Sequence, residues 1–418
     1  MIDLKEIARS LQNCPCGRKH ELGLEHFYVE SGLTPRTGEI LRRIGAPDRL
    51  HLVADGNTIH ASAGVRESLA RAGFVLTETM FDNLTVASAE AAERVERESE
   101  GADALLSVGT GSLNDICRIN AFRHKKPFYI LATAPSMDGF ASANAPITIN
   151  GFKQTLDAVI PTAILADTKV LANAPAELPA AGFGDLIGKY TALCDWNVSR
   201  ITTGEYHCPR IEALTRGAVD RAVALADGIR KHSEESAAAL MDALVLSGLA
   251  MKLSGCTRPA SGAEHHLAHF WEMQYMLQGK PPVYHGIKVG IACALVAEKY
   301  NALAKLPSIE LAPRPTVPDP ALEPVFGPLW GNILKENVPD PVTDEVRENL
   351  RTRWPEIREA LKSVPDAEEI RRLLRLAGAP ATCEEKGISK ELEEQAFTFG
   401  YLVRFRMTMM RLSAHIRA

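Results

Sequence analysis

Short apolar runs rich in β-formers alternate with helical patterns through roughly the first 170 residues, and this rhythm constrains the fold more than any other feature of the chain. LHLVADGNT, GFVLTETMF, ADALLSVGTGS, PFYILATAPS and AILADTKVLANA read as strands, with helices through SAGVRESLARAG and AERVERESE between them. Strands separated by helices are joined by crossovers, so the pattern predicts a mostly parallel sheet covered by helices. Such sheets bind ligands outside the carboxyl ends of their strands.

From about residue 175 the strands give way to long patterns of period 3.6, as in GDLIGKYTALCDWNVS, ALTRGAVDRAVALADGIRKH and LEEQAFTFGYLVRFRMTMMRLSAHIR. LPSIELAPRPTVPDPALEPVFGP, over residues 306–328, carries too many prolines for regular helix and reads as a surface loop. At 418 residues the chain is too long for one ordinary core. The expected architecture is an α/β Rossmann-like domain over residues 1–174 followed by an all-α domain over 175–418, with the active site in the interdomain cleft.

Composition excludes several classes. A formal net charge of −5 with 24% charged and 46% apolar residues marks neither a disordered chain nor a general nucleic-acid binder. MIDLKEIARSLQN has acidic residues and no apolar core, unlike a secretory signal, so a cytoplasmic location is expected. SAAALMDALVLSGLAMKLSG is interrupted by Asp242 and Lys252 and reads as a core helix, leaving no membrane span. Eight scattered cysteines fit thiols in a reducing compartment.

In LLSVGTGSLNDICRIN a strand, a turn with Gly109 and Gly111, and a helix follow one another. Glycines there let backbone N–H groups approach a pyrophosphate at the helix N-terminus. The dinucleotide fingerprint G-x-G-x-x-G is incomplete, with Asn114 in its last position, so an ordinary strand-to-helix turn stands as the alternative. Ser112 and Asp115 also have the spacing of a capping box. ATAPSMDGFASAN, residues 132–144, is a second loop after a strand, rich in small hydroxyl residues able to bond a cofactor. Asp55 ends the strand LHLVAD, where it would accept from a ribose hydroxyl or serve as a turn aspartate.

The second half gathers Asp185, His265, His266, His269 and His285. His265 and His269, four apart in SGAEHHLAHFWEM, point from one helical face, with His266 rotated to the side. A catalytic divalent metal takes about three protein ligands and keeps one position open. The alternatives are hydrogen-bonded core histidines, and an N-cap role for Asp185. Cys14, Cys16 and His20 in CPCGRKH are three metal-type donors without an evident fourth, and read as a cysteine-containing turn.

GTGSLNDICR, TAPSMDGFAS, GFGDLIGKYTALCDW, SGAEHHLAHFWEM and HGIKVGIA, in this order, resemble the glycerol-1-phosphate dehydrogenase family, more closely its bacterial AraM-type branch. That family lies within the wider group of metal-dependent alcohol dehydrogenases and dehydroquinate synthases. The likeness runs over nearly the whole chain, from CPCGRKH to YLVRFRMTMMRLS. It implies a dehydroquinate synthase-like fold and a metal, zinc or nickel, held by Asp185, His265 and His285. It also implies a substrate site at Asp138, Asp185 and His269, with Asp138 and His269 as catalytic residues, while His266 is structural. The cofactor, NAD with NADP as the alternative, would lie against Gly109, Thr110, Gly111, Ser112 and Leu113, and against Thr133, Ala134, Pro135 and Ser136, with Ser142 and Asp55 nearby. Iron-dependent alcohol dehydrogenases have a histidine ligand four residues after the aspartate; Lys189 stands there, which favours three protein ligands.

The implied reaction interconverts dihydroxyacetone phosphate and sn-glycerol 1-phosphate by hydride transfer, within phospholipid metabolism and in a homodimer or higher homo-oligomer. Alternatives on the same scaffold are a glycerol or other polyol dehydrogenase and a dehydroquinate synthase-like lyase; a nucleotide-binding protein without turnover is a third reading. No lysine or arginine cluster in these motifs marks the site of the substrate phosphate.

Overall fold

The computed structural model describes residues 2–149 and 152–417. It divides into two compact units, Met1–Gly182 with Gly217–Gly255, and Phe183–Arg216 with Cys256–Ala418.

The first unit is built on a parallel sheet of six strands. In chain order its strands are β1 (His26–Glu30), β2 (Arg49–Asp55), β3 (Val75–Phe81), β4 (Ala104–Gly109), β5 (Phe128–Ala132) and, after a hairpin of β6 (Asn144–Ile149) and β7 (Phe152–Asp157), β8 (Ala163–Asp167). Across the sheet the order is β1-β8-β5-β4-β2-β3, and the registers Leu52 with Leu106, Leu106 with Tyr129 and Ile130 with Ile164 align the apolar positions. β4, β5 and β8 are buried along their whole length, as expected for strands covered on both faces. Leu50, Leu52, Leu106, Leu131 and Leu165 form the core of one face, with Ile40, Leu41, Val65 and Leu69 from the helices above them. The chain goes from β2 outward to β3 and then back to β4 on the other side of β2, so the order reverses between β2 and β4. A crevice outside the carboxyl ends of these two strands is where a sheet of this kind takes its ligand.

β1 and the β6–β7 hairpin are additions to the strands expected from the sequence. In β1 only Val29 is fully buried, so HFYVE lacks the continuous apolar run that marks a covered strand. The helix Glu234–Ser254 also differs from expectation: it falls in the first unit, packing on Thr168–Ala172 and on the turn Gly139–Ala141. The chain therefore leaves the first unit and returns to it, where the sequence suggested a single boundary at 174/175. Among the described residues this is the helix long and apolar enough to cross a membrane, yet Leu240, Leu244, Val245 and Leu249 are buried.

The second unit is helical apart from a two-residue ladder between Glu310–Leu311 and Ile416–Arg417. Lys189–Thr203, Ala263–Leu277 and His285–Ala304 form its centre, around the buried rings of Trp196, Trp271 and Tyr300. Outer helices such as Ala367–Leu376 turn Ile370, Leu373 and Leu374 inward and their arginine–glutamate pairs outward. The single long helix expected at the end of the chain is instead Lys390–Phe399, a short 3-10 turn at Gly400–Val403, and Met409–Ser413. Arg411 explains the break, because its guanidinium donates to the carbonyls of Tyr401, Arg404 and Arg406, which a continuous helix would have used internally. Residues 306–328 hold the two-residue strand Glu310–Leu311 and otherwise only short helical turns from Pro320 on, with no long regular helix, in keeping with the loop expected there.

Candidate active site

Two glycine contacts build the centre of the second unit. A Cβ on Gly184 would stand 2.3 Å from the Gly286 carbonyl oxygen and 3.6 Å from the Gly290 Cα, so the helices Glu177–Ile187 and His285–Ala304 touch backbone to backbone. That crossing sets Asp185 beside His285. Gly262, just before Ala263–Leu277, allows a similar approach: a Cβ there would lie 2.7 Å from Asp195 Oδ2. Ala263 N–H donates to the same carboxylate at 2.8 Å. This contact fixes where the helix carrying His265 begins.

The result is a cluster in which ligand atoms of Asp185, His265 and His285 all lie within 4.8 Å of one another. His265 Nε2 is 3.7 Å from Asp185 Oδ1, and the His265 and His285 ring centroids are 5.1 Å apart. Glu264 controls the His265 ring. Its Oε1 lies 2.8 Å from His265 Nδ1 and accepts from Gly262 N–H at 2.6 Å, while Oε2 accepts from Thr191 Oγ1 at 2.6 Å. A carboxylate engaged as an acceptor leaves the imidazole proton on Nδ1 and a lone pair on Nε2, directed at the cluster. Metal-binding histidines characteristically show this second hydrogen bond. Glu264 is absent from the residues expected from the sequence, although an acidic residue in a glycine-flanked, apolar first turn is a usable signal.

Electrostatics favour the ligand forms of these groups. Burial pushes the His265 imidazole well below its ordinary value, with Lys189 adding to the effect, so the ring is neutral. Burial alone would raise the Asp185 carboxyl, but Lys189, His285 and His265 hold it below the usual range. Lys189 Nζ sits 2.8 Å from Asp185 Oδ1 with both side chains fully buried. Desolvating two charges costs about as much as their contact returns, so the pair is better explained by what it does to Asp185 than by stability. The ion pair also gives Lys189 a use other than that of a fourth ligand.

His269 lies one turn further along the same helix, its Nδ1 3.2 Å from Glu272 Oε2, and Lys288 Nζ is 3.7 Å from Glu272 Oε1. The His269 and His285 centroids are 5.6 Å apart, so the proposed substrate contact adjoins the proposed ligands. His266 is buried with neither ring nitrogen hydrogen-bonded among the described residues, and it is outside the cluster.

Most of the expected cofactor residues lie at the carboxyl ends of β4 and β5 in the first unit, with Asp55 at the end of β2 and Ser142 after the turn Gly139–Ala141. Gly111 has φ +48° and ψ −115°, a backbone conformation open to glycine, and it caps Ser112–His124 with no side chain over the helix end. The expected capping box is thus absent: Ser112 Oγ donates to the Thr85 carbonyl, and Asp115 pairs with Arg118 at 3.2 Å. Asn114, in the place of the missing glycine, accepts from Ser107 at 2.7 Å and ties the helix to β4. Leu113 packs over Gly109, where a Cβ would stand 2.4 Å from its Cδ1. Thr110 Oγ1 lies 2.8 Å from Ser136 Oγ, and Thr133 N–H donates to the Gly109 carbonyl, so the two loops meet. Pro135 lies against Gly182, whose Cβ would stand 1.9 Å from the Pro135 carbonyl oxygen, while Ala134 is buried. Asp138 accepts from Ser247 Oγ at 2.9 Å, and Ser142 accepts from Asn144 N–H. Asp55 takes the turn role: it makes a capping box with Thr58, and Leu84 N–H also donates to it.

A family model described as iron-containing alcohol dehydrogenase matches residues 28–175. Over 418 aligned residues the chain is 34% identical to glycerol-1-phosphate dehydrogenase (NAD(P)+) of Geobacillus stearothermophilus, covering 97% of this chain and 96% of that one. The chain belongs to the glycerol-1-phosphate dehydrogenase family. The Halalkalibacterium halodurans member is 32% identical, covering 99% of this chain and 98% of its own. Solved structures support the fold. NADH-dependent butanol dehydrogenase A of Thermotoga maritima gives a TM-score of 0.59 at 18% identity, over 93% of this chain and 92% of that one. Maleylacetate reductase of Rhizobium gives 0.58 at 16% identity, over 91% and 90%. The two glycerol-1-phosphate dehydrogenases are oxidoreductases, and this chain is one, with a parallel sheet in its first half and a mostly helical second half.

Proposed function

We propose that this chain interconverts dihydroxyacetone phosphate and sn-glycerol 1-phosphate, using NAD(P) and one divalent metal. The observation that carries this reading is the meeting of Asp185, His265 and His285 in a chain matched end to end by relatives named for that reaction. A carboxylate and two imidazoles, one fixed by Glu264 with its Nε2 lone pair turned inward, fit such an ion, and the donor set suits zinc or nickel. When bound, the metal supplies Lewis-acid polarisation of the ketone, and the nicotinamide supplies hydride.

The chain's own residues do the rest. Gly109–Leu113 and Thr133–Ser136, joined through Thr110 and Ser136, offer backbone N–H groups and hydroxyls to the dinucleotide beside the sheet's switch point. Lys189 keeps Asp185 ionised. His269, braced at Nδ1 by Glu272, exchanges a proton with the substrate oxygen, and Asp138 orients the polyol hydroxyls.

NADH and NADPH oxidation with dihydroxyacetone phosphate tests this, using metal-stripped enzyme restored separately with zinc or nickel. Restored turnover yielding the 1-phosphate enantiomer is expected. Turnover confined to unphosphorylated ketones would overturn the substrate assignment in favour of a polyol dehydrogenase.

A further inference from the structure

Cys14, Cys16 and His20 stand apart from the residues assigned to the reaction, and we propose that they hold a structural zinc ion in the first unit. A turn closed by Gly17 N–H donating to the Cys14 carbonyl follows the helix Leu4–Ser10, with Gly17 at φ +78°. It brings the two thiols and the imidazole together, so that one ligand atom of each lies within 4.8 Å of the others.

His20 supplies the decisive detail. Its Nδ1 is 2.7 Å from the Leu253 carbonyl oxygen. A carbonyl can only accept, so Nδ1 carries the proton and Nε2 presents a lone pair. That lone pair faces Cys16 Sγ at 3.2 Å. A thiol donating to it would explain two atoms; Cys14 makes three donors converge, and a tetrahedral ion with Zn–S near 2.3 Å and Zn–N near 2.0 Å sets such S···N edges at about 3.6 Å. An imidazole whose other nitrogen is anchored to a backbone carbonyl is the arrangement that orients metal ligands.

The site has a structural use. Leu253 belongs to the last turn of Glu234–Ser254, where helix carbonyls lack intrahelical partners. An ion on His20 would fasten the N-terminal segment to the helix that returns to the first unit.

The test uses full-length Asp185→Ala protein, so that the reaction's own metal does not contribute. Metal analysis should find one zinc per chain, released when a mercurial reagent titrates the thiols. Cobalt loading should give near-ultraviolet thiolate-to-metal charge transfer, abolished by adding Cys16→Ser or Cys14→Ser. Absence of both the mercurial-released zinc and the charge-transfer band would overturn the site, and needs no second mutation that might unfold the chain.

Discussion

At the scale of single residues, the proposed metal centre depends on groups that touch no substrate. Glu264 is the clearest, holding His265 Nδ1 at 2.8 Å while Thr191 and Gly262 hold Glu264. Glu264→Gln keeps the size but offers an N–H₂ where an acceptor is needed, so the ring is free to turn or change tautomer. Loss of such a partner costs about 10–100-fold in metal affinity or activity; chelator competition should show a fall of that order, and an unchanged affinity would make Glu264 a packing residue. Asp138 makes a different prediction. Asp138→Asn should retain bound metal and lower turnover, and kinetics equal to the parent would remove it from substrate contact. The histidine-rich helix and the aspartate were legible in the sequence, because their spacing and motif survive as letters. The brace on His265 was harder to read, since it depends on which way a carboxylate turns.

At the scale of elements, close helix contacts decide whether the ligands meet. Gly184→Ala places a methyl 2.3 Å from the Gly286 carbonyl and forces Glu177–Ile187 away from His285–Ala304. Overpacking of this kind costs about 1–3 kcal/mol. Metal affinity should fall with stability, by about tenfold or more if the strain is relieved at Asp185; a stability loss with unchanged affinity would show that the strain is absorbed elsewhere. In the sheet, His51 of β2 lies 2.8 Å from both Thr77 and Thr79 of β3. Burial, opposed by Glu98, pushes its imidazole down from 6.5 to about 4. Between those values the unfolded chain binds the proton and the folded one does not, so His51 contributes stability above pH 6.5 that is lost as pH falls toward 4. His51→Gln should flatten part of the acid limb of a melting-temperature profile, whereas an identical slope would assign that limb to other groups. Period and turn chemistry made β2, β3, β4, β5 and β8 readable. The broken C-terminal helix was not, because Arg411 takes carbonyls by a tertiary route while the apolar spacing of YLVRFRMTMMRLS still reads as one helix.

At the scale of the whole molecule, the proposed catalytic ligands Asp185, His265 and His285 belong to the second unit and the proposed cofactor loops to the first. Asp185→Ala and His285→Ala should therefore abolish turnover and metal binding at the Asp185–His265–His285 cluster while NADH binding, followed by fluorescence, and the far-ultraviolet circular dichroism persist. Loss of NADH binding together with the metal would show the two functions to be interdependent. The alternating pattern was enough to specify a parallel sheet followed by helices, because strand and helix periods are local properties of the chain. The family resemblance of short runs in the sequence pointed to Asp185, His265 and His285, whose ligand atoms the fold brings within 4.8 Å of one another. Only the tertiary structure decided that Glu234–Ser254 returns to the first unit, that Asp55 caps a helix, and that Glu264 and Lys189 tune the ligands. Those outcomes depend on contacts between residues far apart in the chain, on backbone approaches that only a missing Cβ permits, and on the direction in which each buried polar group finds its partner.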